Sequence, residues 1–204
     1  MTSGRRLPRT GEFLRLAAGS IALIALQSGS ASPVSWGLPQ LMALLTHEPH
    51  HDVRFVERRY LHVLTQPLES SGRLSFTPPQ RIEETILTPK KETLVVDGDT
   101  LLVRRANNSV STVELPDHPE IKTLIDSIRG TLSGNLSMLR GNYTVTVQGD
   151  AHRWRLLLVP LPRDAAAVVS KIRISGAGGD VSMIEFRFPN GDRSEMTITQ
   201  IQSP

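Results

Sequence analysis

Most of the chain beyond residue 53 alternates between apolar and polar residues with a period of two, and Gly, Pro, Asn and Asp interrupt the alternation. Successive side chains of a strand point to opposite faces, so this pattern predicts strands with one apolar face. Asp97-Gly98, between LVV and TLLV, is typical of a tight hairpin. The predicted strands are 53–63, 72–77, 81–87, 92–97, 100–105, 109–115, 143–148, 153–159, 171–176, 181–188 and 193–201.

Two segments have helical spacing instead. Residues 119–141 carry apolar residues close to a 3.6 period, and Gly130 and Gly134 interrupt them, which predicts two short helices. Residues 164–170 form either one helical turn or a loop. Residues 38–46 predict a short amphipathic helix whose apolar face comprises Leu38, Leu41, Met42 and Leu45.

The order of these elements predicts the fold class. Strands joined by tight turns form an antiparallel sheet, and one apolar face per strand means that the sheet is covered on one side only. A sheet of roughly eleven strands curls rather than staying flat. We therefore predict a mainly β fold with α: an incomplete antiparallel β-barrel (a half-barrel) of about eleven strands, covered by short helices.

Residues 1–31 have the order of a secretory signal peptide. A basic start precedes an apolar run at 16–26, and small residues follow at 28–31. A buried N-terminal helix is the alternative, but it does not explain the basic prefix. We predict a cleaved signal peptide at 1–31, a single domain at 32–204 and a periplasmic location.

The formal charge of +3 does not indicate a nucleic-acid-binding surface. The chain has 23 Lys and Arg against 20 Asp and Glu, and four of these Arg and one Glu lie in the predicted signal peptide, which leaves 19 against 19. Aromatic residues make up 4% of the chain, too few for an extended base-stacking surface. The lack of Cys excludes disulfides, thiol catalysis and Cys-based zinc sites.

No motif predicts a catalytic residue, a metal site or a cofactor. GTLSG at 130–134 lacks the spacing of the Gly-x-Ser-x-Gly elbow. HEPHHD at 47–52 contains metal-ligating residue types, but its spacing is not His-Glu-x-x-His, and a solvated loop is the simpler interpretation. Glu83 and Glu84 fall on opposite faces of a strand and cannot act as a carboxylate pair. We therefore expect no enzymatic activity.

The apolar faces are the remaining functional signal. Taken singly, each inward residue is explained by ordinary core packing. Taken together, they are also able to line a cavity, because a curled sheet has more concave surface than two short helices fill. The candidate cavity residues are Phe55, Leu61, Leu74, Phe76, Ile86, Leu94, Val96, Leu101, Val103, Leu124, Ile128, Leu132, Trp154, Leu156, Leu158, Ile174, Ile184 and Phe186.

The most specific motifs lie in the first half of the predicted sheet. SGRLSFTPP at 71–79, followed by Pro89 and by ETLVVDG at 92–98, resembles the outer-membrane lipoprotein carrier family (LolA-type). That family has a similar Gly-x-Leu strand ending in Pro and a similar Leu-Val-x-Asp-Gly hairpin. The resemblance spans residues 38–201, and LSG at 132–134 is similar to a LolA-related branch, as are Asp97-Gly98-Asp99 and Trp154.

The resemblance implies an incomplete barrel closed by a helical lid, with an apolar cavity for acyl chains. Carriers have an arginine, just before the proline that ends the second strand, that helps to hold the lid shut; this chain has Thr77 there, and Arg81 does not align with it.

Two functions follow as hypotheses. The first is a non-catalytic periplasmic carrier, expected to be a monomer, that takes an acylated lipid or lipoprotein from an inner-membrane donor complex or transporter to an outer-membrane acceptor. The alternative is an envelope regulatory or sensor module on the same fold that binds lipid or protein partners. An enzyme on this scaffold is a third, weaker interpretation, since fold does not fix function.

Overall fold

The computed structural model describes residues 36–46 and 51–201, so the predicted signal peptide and most of the histidine-rich segment at 47–52 lie outside the described residues. The helices are α1 (Leu38–Leu45), α2 (Pro119–Leu132), α3 (Leu136–Asn142) and α4 (Arg163–Val168), with a 3-10 turn at Leu115–Asp117. The strands are β1 (His51–Tyr60), β2 (Leu68–Thr77), β3 (Arg81–Thr88), β4 (Glu92–Asp97), β5 (Thr100–Arg105), β6 (Val110–Glu114), β7 (Tyr143–Asp150), β8 (Arg153–Pro160), β9 (Lys171–Ala177), β10 (Asp180–Arg187) and β11 (Arg193–Gln200). None of the helices in this part of the chain is long and apolar enough to cross a bilayer.

All eleven strands form one antiparallel sheet in the order β6-β5-β4-β3-β2-β1-β11-β10-β9-β8-β7. Neighbours in the sheet are neighbours in the sequence, except that β1 pairs with β11. The edge strands β6 and β7 do not pair with each other, so the sheet is not closed into a barrel. The predicted half-barrel, with six strands before the central helices and five after them, is confirmed.

The predicted strand phasing is confirmed for the strands in which inward residues were predicted, except at the end of the first strand. Val96 pairs with Leu101 across the β4–β5 hairpin, and Leu156 pairs with Ile174 between β8 and β9. These pairs place the predicted inward residues on one face of the sheet, where the helices also pack.

The prediction that the first strand continues through Leu61 and Val63 is wrong. β1 ends at Tyr60, and the backbone then turns, with the amide of Leu64 donating to the carbonyl of Leu61 at 2.9 Å. The backbone amide of His62 donates to Asp192 Oδ1 at 2.8 Å, which ties this turn to the distant β10–β11 connection. Val63 is consequently 72% exposed.

The helical predictions are confirmed, with one correction. Gly130 lies inside α2 rather than at a break, and a Cβ at this position would approach the Leu139 side chain of α3 to 3.1 Å. The glycine therefore permits close packing between the two helices. Gly134, with φ of +65°, follows the end of α2 and allows the turn into α3.

Two apolar clusters lie on the covered face of the sheet. The larger joins α1 and α3 to β7–β11 and includes Leu41, Leu45, Trp154 and Leu156, all nearly inaccessible to solvent. The smaller comprises Phe76, Ile82, Val96 and Leu115, against which residues of α2 pack. Leu74 contacts both clusters.

Helix α2 is fixed to the sheet by polar contacts on both sides. The Arg129 side chain, in a residue only 5% exposed, donates from Nε to the carbonyl of Gln80 at 2.8 Å and from Nη2 to the carbonyl of Gly98 at 2.6 Å. These carbonyls belong to the β2–β3 and β4–β5 turns. The hydroxyl of Tyr143, on edge strand β7, donates to the carbonyl of Thr123 at 2.8 Å, and burial raises the pKa of this phenol to about 12.

The guanidinium that joins helix to sheet therefore comes from the helix. Thr77, where the carriers have an arginine, is exposed at the end of β2. Lys122 of α2 adds a 3.4 Å ion pair to Asp99 in the β4–β5 turn. The cationic contacts between α2 and the turns of the sheet thus come from Arg129 and Lys122 of the helix.

Gly176 supplies a test of the larger cluster. It pairs with Trp154 across β8 and β9, and a Cβ there would collide with the indole ring and with the carbonyl of Asp180. We predict that Gly176→Ala lowers the free energy of unfolding by about 2–3 kcal/mol, as overpacking does. Urea denaturation followed by tryptophan fluorescence measures this. Gly141→Ala is the control, because a Cβ at Gly141 meets nothing within 4 Å; an equal loss in both variants would contradict the packing described.

Arg129 supplies a test of the cover. Arg129→Met removes both hydrogen bonds to the turn carbonyls and keeps an unbranched side chain in place of the arginine stem. We predict a loss of about 2–4 kcal/mol in the free energy of unfolding, and faster amide exchange in α2 than in β4 and β5. Hydrogen exchange with mass spectrometry measures the second effect. Arg140→Met, at an exposed arginine of α3, is the control; unchanged exchange in α2 would show that the arginine does not hold the helix.

Candidate functional site

A cavity of about 340 Å³ lies between α2 and the covered face of the sheet. This volume is within the range of small-molecule sites in proteins. Side chains from β1–β5, β10 and β11 reach the same cavity, which requires a strongly curved sheet. Its lining residues are Glu57, Arg59, Leu74, Ile82, Glu84, Leu94, Val96, Leu101, Ile121, Leu124, Ile125, Ile128, Val169, Ile184, Phe186, Phe188, Ser194 and Met196.

A second, smaller space adjoins this cavity. Its volume is about 40 Å³, and it shares Leu74, Ile128 and Ile184 with the larger one. Together the two spaces bring eleven of the sequence-predicted residues to one site. These residues are Leu74, Phe76, Leu94, Val96, Leu101, Leu124, Ile128, Leu132, Ile174, Ile184 and Phe186.

The other candidates lie elsewhere. Phe55, Leu156 and Leu158 are buried, and like Ile86 and Val103 they border neither space. Trp154 is buried in the larger cluster, where its indole Nε1 donates to the carbonyl of Gly178 at 2.9 Å. Leu61, which does not belong to a strand, borders a separate cleft. Strand parity identifies the covered face, but the close packing of α1 and α3 decides which part of that face is solid core.

The lining also contains polar residues that the sequence-based selection missed. Glu57, Arg59, Glu84 and Ser194 form a polar end to an otherwise apolar cavity. The sequence does allow one of them to be predicted: Glu84 lies between Ile82 and Ile86 in the alternating pattern of β3, so it is expected on the same inward face. The earlier conclusion that Glu83 and Glu84 point to opposite faces is correct, but its consequence is that Glu84 faces the cavity.

Glu57 is a buried and well-satisfied carboxylate. It is 9% exposed, and its Oε1 accepts from Ser194 Oγ at 2.6 Å and from Arg59 Nε at 3.3 Å. Its Oε2 accepts from Ser70 Oγ at 3.1 Å. These donors fix the carboxyl group of Glu57 at the polar end of the cavity.

Glu84 differs from Glu57, because no side chain in the described part of the structure donates a hydrogen bond to it. It pairs with Leu74 on one side and Leu94 on the other, so its carboxyl group lies among apolar neighbours. Burial and, secondarily, the charge of Glu57 raise its pKa from 4.5 to about 7, while Arg59 opposes the shift. The side chain is therefore a mixture of acid and carboxylate near neutral pH.

The polar end adjoins a cleft of about 550 Å³ at the rim of the half-barrel. The cavity and the cleft share Arg59 and Phe188. Leu61 and the partly exposed Val168 line the outer part of the cleft. The polar end of the cavity thus borders this surface opening.

Ser133 does not have the environment of a nucleophile. Its hydroxyl donates to the carbonyl of Arg129 at 2.6 Å, one turn earlier in the helix. Among residues 36–46 and 51–201, no three His, Asp or Glu side chains come together in a way that would hold a metal ion.

The raised pKa of Glu84 leads to a pH-dependent contribution to stability. Because the folded-state pKa of about 7 exceeds 4.5, this contribution is fully present below about pH 4.5 and is lost as the pH rises through 7. We predict that the wild-type free energy of unfolding, relative to Glu84→Gln, falls by up to about 3 kcal/mol over that interval. Denaturation at a series of pH values measures the difference. Glu83→Gln, on the opposite face of β3, is expected to keep the wild-type pH dependence; a flat difference between wild type and Glu84→Gln would place Glu84 in water.

Comparison with known proteins gives similarities of fold. The chain resembles a LolA superfamily protein from Nitrosomonas europaea (9% identity, TM-score 0.43, covering 83% of this chain and 96% of that chain). It resembles LprF from Mycobacterium bovis (12% identity, TM-score 0.37, covering 82% and 93%). It also resembles the MucA/MucB complex of Pseudomonas aeruginosa (9% identity, TM-score 0.44), covering 82% of this chain and 58% of that chain.

Sequence comparison gives the family. No curated protein matches the sequence. The family model described as "Outer membrane lipoprotein carrier protein LolA-like" matches residues 30–200, which is most of the chain and includes the whole described sheet with α2 and its cavity. Proteins of this family are periplasmic, and the family's description names an outer membrane lipoprotein carrier. The chain therefore belongs to the LolA-like outer membrane lipoprotein carrier family.

Proposed function

We propose that this protein is a non-catalytic periplasmic carrier that holds the acyl chains of a lipid or lipoprotein in the cavity beneath α2. The observation that carries the proposal is that cavity: about 340 Å³, lined mainly by aliphatic and aromatic side chains, and covered by a helix. Family membership supports a carrier over an enzyme. Residues 1–31, with their signal-peptide order, support export of the domain at 32–204.

Binding of an acyl chain needs no specific chemistry at this site. Each buried methylene group contributes about 0.8 kcal/mol, so a chain that fills the cavity gains affinity from apolar area alone. Transfer from a donor in the inner membrane to an acceptor in the outer membrane is then a difference of affinities, and no covalent step is required. The hydrogen bonds of Arg129 keep α2 over the chain between the two encounters.

Extraction of the protein tests this function directly. The protein is purified without detergent from the periplasmic fraction, and its organic extract is analysed by mass spectrometry. A stoichiometric acylated molecule supports the carrier. An extract without lipid, together with a protein partner that binds only the lipid-free form, would favour the sensor module instead.

A paired substitution on β5 tests the location of the binding site. Leu101 lines the cavity, whereas Leu102 points to the opposite face of the same strand. We predict that Leu101→Ser weakens binding of an uncharged apolar dye about three- to tenfold, because it removes contact area from the cavity. Leu102→Ser leaves the dye affinity unchanged. Fluorescence titration measures both; equal losses in the two variants would remove the cavity as the binding site.

A further inference from the structure

The polar end of the cavity has more carboxyl groups than cationic groups. Glu57, Glu84 and Arg59 all border it, and Ser194 is the remaining polar neighbour. The Arg59 guanidinium contacts Glu57, and its side chain is 57% exposed. The lining therefore has one cationic side chain for two carboxyl groups, and the second carboxyl group has no cationic partner within the lining.

Glu84 is that remaining group. Its neighbours across the sheet are Leu74 and Leu94, and no other described side chain donates a hydrogen bond to it or pairs with it. A carboxyl group in such a place lowers stability, whereas leucine or valine at the same position would pack against both neighbours. A requirement for folding therefore does not account for Glu84.

The lining beyond this end fits a hydrocarbon chain. Leu101, Ile121 and Ile125 also line the cavity, which has no further charged residue, since Glu57, Arg59 and Glu84 are the charged members of the lining. The site is thus amphipathic: an apolar chamber with a carboxyl acceptor in its lining.

We infer that the ligand of this cavity is an amphiphile with a protonated amine in its head group, and that Glu84 accepts a hydrogen bond from that amine while the acyl chain occupies the apolar chamber. This inference rests on the proposed carrier function and names the chemical class of its cargo. Charge complementarity favours the amine, because an anionic head would add a third negative group to Glu57 and Glu84. An uncharged head would leave the Glu84 carboxylate without a cation.

The pKa of Glu84 supplies an independent signature. The carboxyl group titrates near pH 7 in the free protein, where burial and Glu57 raise its pKa, Arg59 lowers it and Glu92 on β4 raises it slightly. An alkylammonium ion keeps its charge up to about pH 10, as lysine does. Affinity for an amine is therefore expected to rise between about pH 5.5 and pH 8 as Glu84 ionises.

Three probes with the same twelve-carbon chain test the inference: dodecylamine, dodecanol and dodecanoate. Each competes with the uncharged dye 1-N-phenylnaphthylamine on the purified, delipidated protein. At about pH 8, dodecylamine is expected to displace the dye at concentrations about ten- to hundredfold lower than dodecanol does. A hydrogen bond between the ammonium group and the Glu84 carboxylate accounts for a difference in affinity of this size. Dodecanoate is expected to be the weakest competitor.

Two variants of adjacent residues assign the preference. Glu84→Gln keeps the shape of the side chain and is expected to lose both the preference for dodecylamine over dodecanol and the pH dependence of that preference. Glu83→Gln alters the outer face of the same strand and is expected to retain both. Circular dichroism and thermal unfolding confirm that each variant is folded.

The possible outcomes distinguish failure of the head-group inference from failure of the proposed carrier function. Equal displacement by all three probes, or a preference for the amine that survives in Glu84→Gln, overturns the head-group inference and leaves the carrier function standing. Failure of all three probes to displace the dye, dodecanol included, overturns the proposed function itself, because the dodecanol comparison depends on the apolar chamber alone.

Discussion

The stability of a half-barrel depends on covering the apolar face that the open sheet leaves exposed to solvent. In a closed barrel the sheet covers its own interior, but here β6 and β7 are free edges and the face between them needs another element. Helix α2 is that element over the first half of the sheet. Two hydrogen bonds from Arg129 of α2 to backbone carbonyls of the sheet turns hold the helix in place. A third runs from the hydroxyl of Tyr143 to a backbone carbonyl of α2. Because these bonds are directional, α2 stays at a fixed height above the sheet although the space beneath it is incompletely filled.

The two halves of the sheet differ for the same reason. Beneath α1 and α3, side chains such as Trp154 and Leu156 fill the space completely, and Gly130 and Gly176 allow the close approaches that this packing needs. Beneath α2, residues such as Leu94 and Leu101 are only partly covered and face a cavity. The part of the covered face beneath α1 and α3 is therefore a solid core that supplies stability, whereas the part beneath α2 holds the cavity. The carboxyl group of Glu84 lines that cavity, where a residue that lowers stability is tolerated.

The sequence predicts the features that depend on local patterns. Period-two alternation identified the inward faces, Asp97-Gly98 identified a hairpin, and the spacing of Leu38 and Leu41 identified α1. The sequence-based prediction is wrong where a residue distant in the sequence decides the backbone conformation. The backbone amide of His62 donates to Asp192, and the strand that was expected to reach Val63 ends at Tyr60. The sequence also could not divide the inward residues into core and cavity, because that division depends on how closely each helix approaches. The alternation of residues along β3 predicts which face of the strand Glu84 lies on, but it does not predict that this face borders a cavity.

The position of the polar end bears on how a ligand would enter. Lifting α2 breaks the two hydrogen bonds from the Arg129 guanidinium, which as charged hydrogen bonds contribute about 1.5–3 kcal/mol each, and the neutral one from Tyr143, which contributes about 0.5–1.5 kcal/mol. At the end that adjoins the rim cleft, the side chains of Arg59 and Phe188 line both spaces, and the Arg59 side chain is already 57% exposed. Rotation of these two side chains breaks none of the hydrogen bonds from Arg129 and Tyr143, whereas displacement of α2 breaks all three. A ligand of the class inferred above would therefore enter at this end with its acyl chain first, which leaves its head group at the polar end of the cavity.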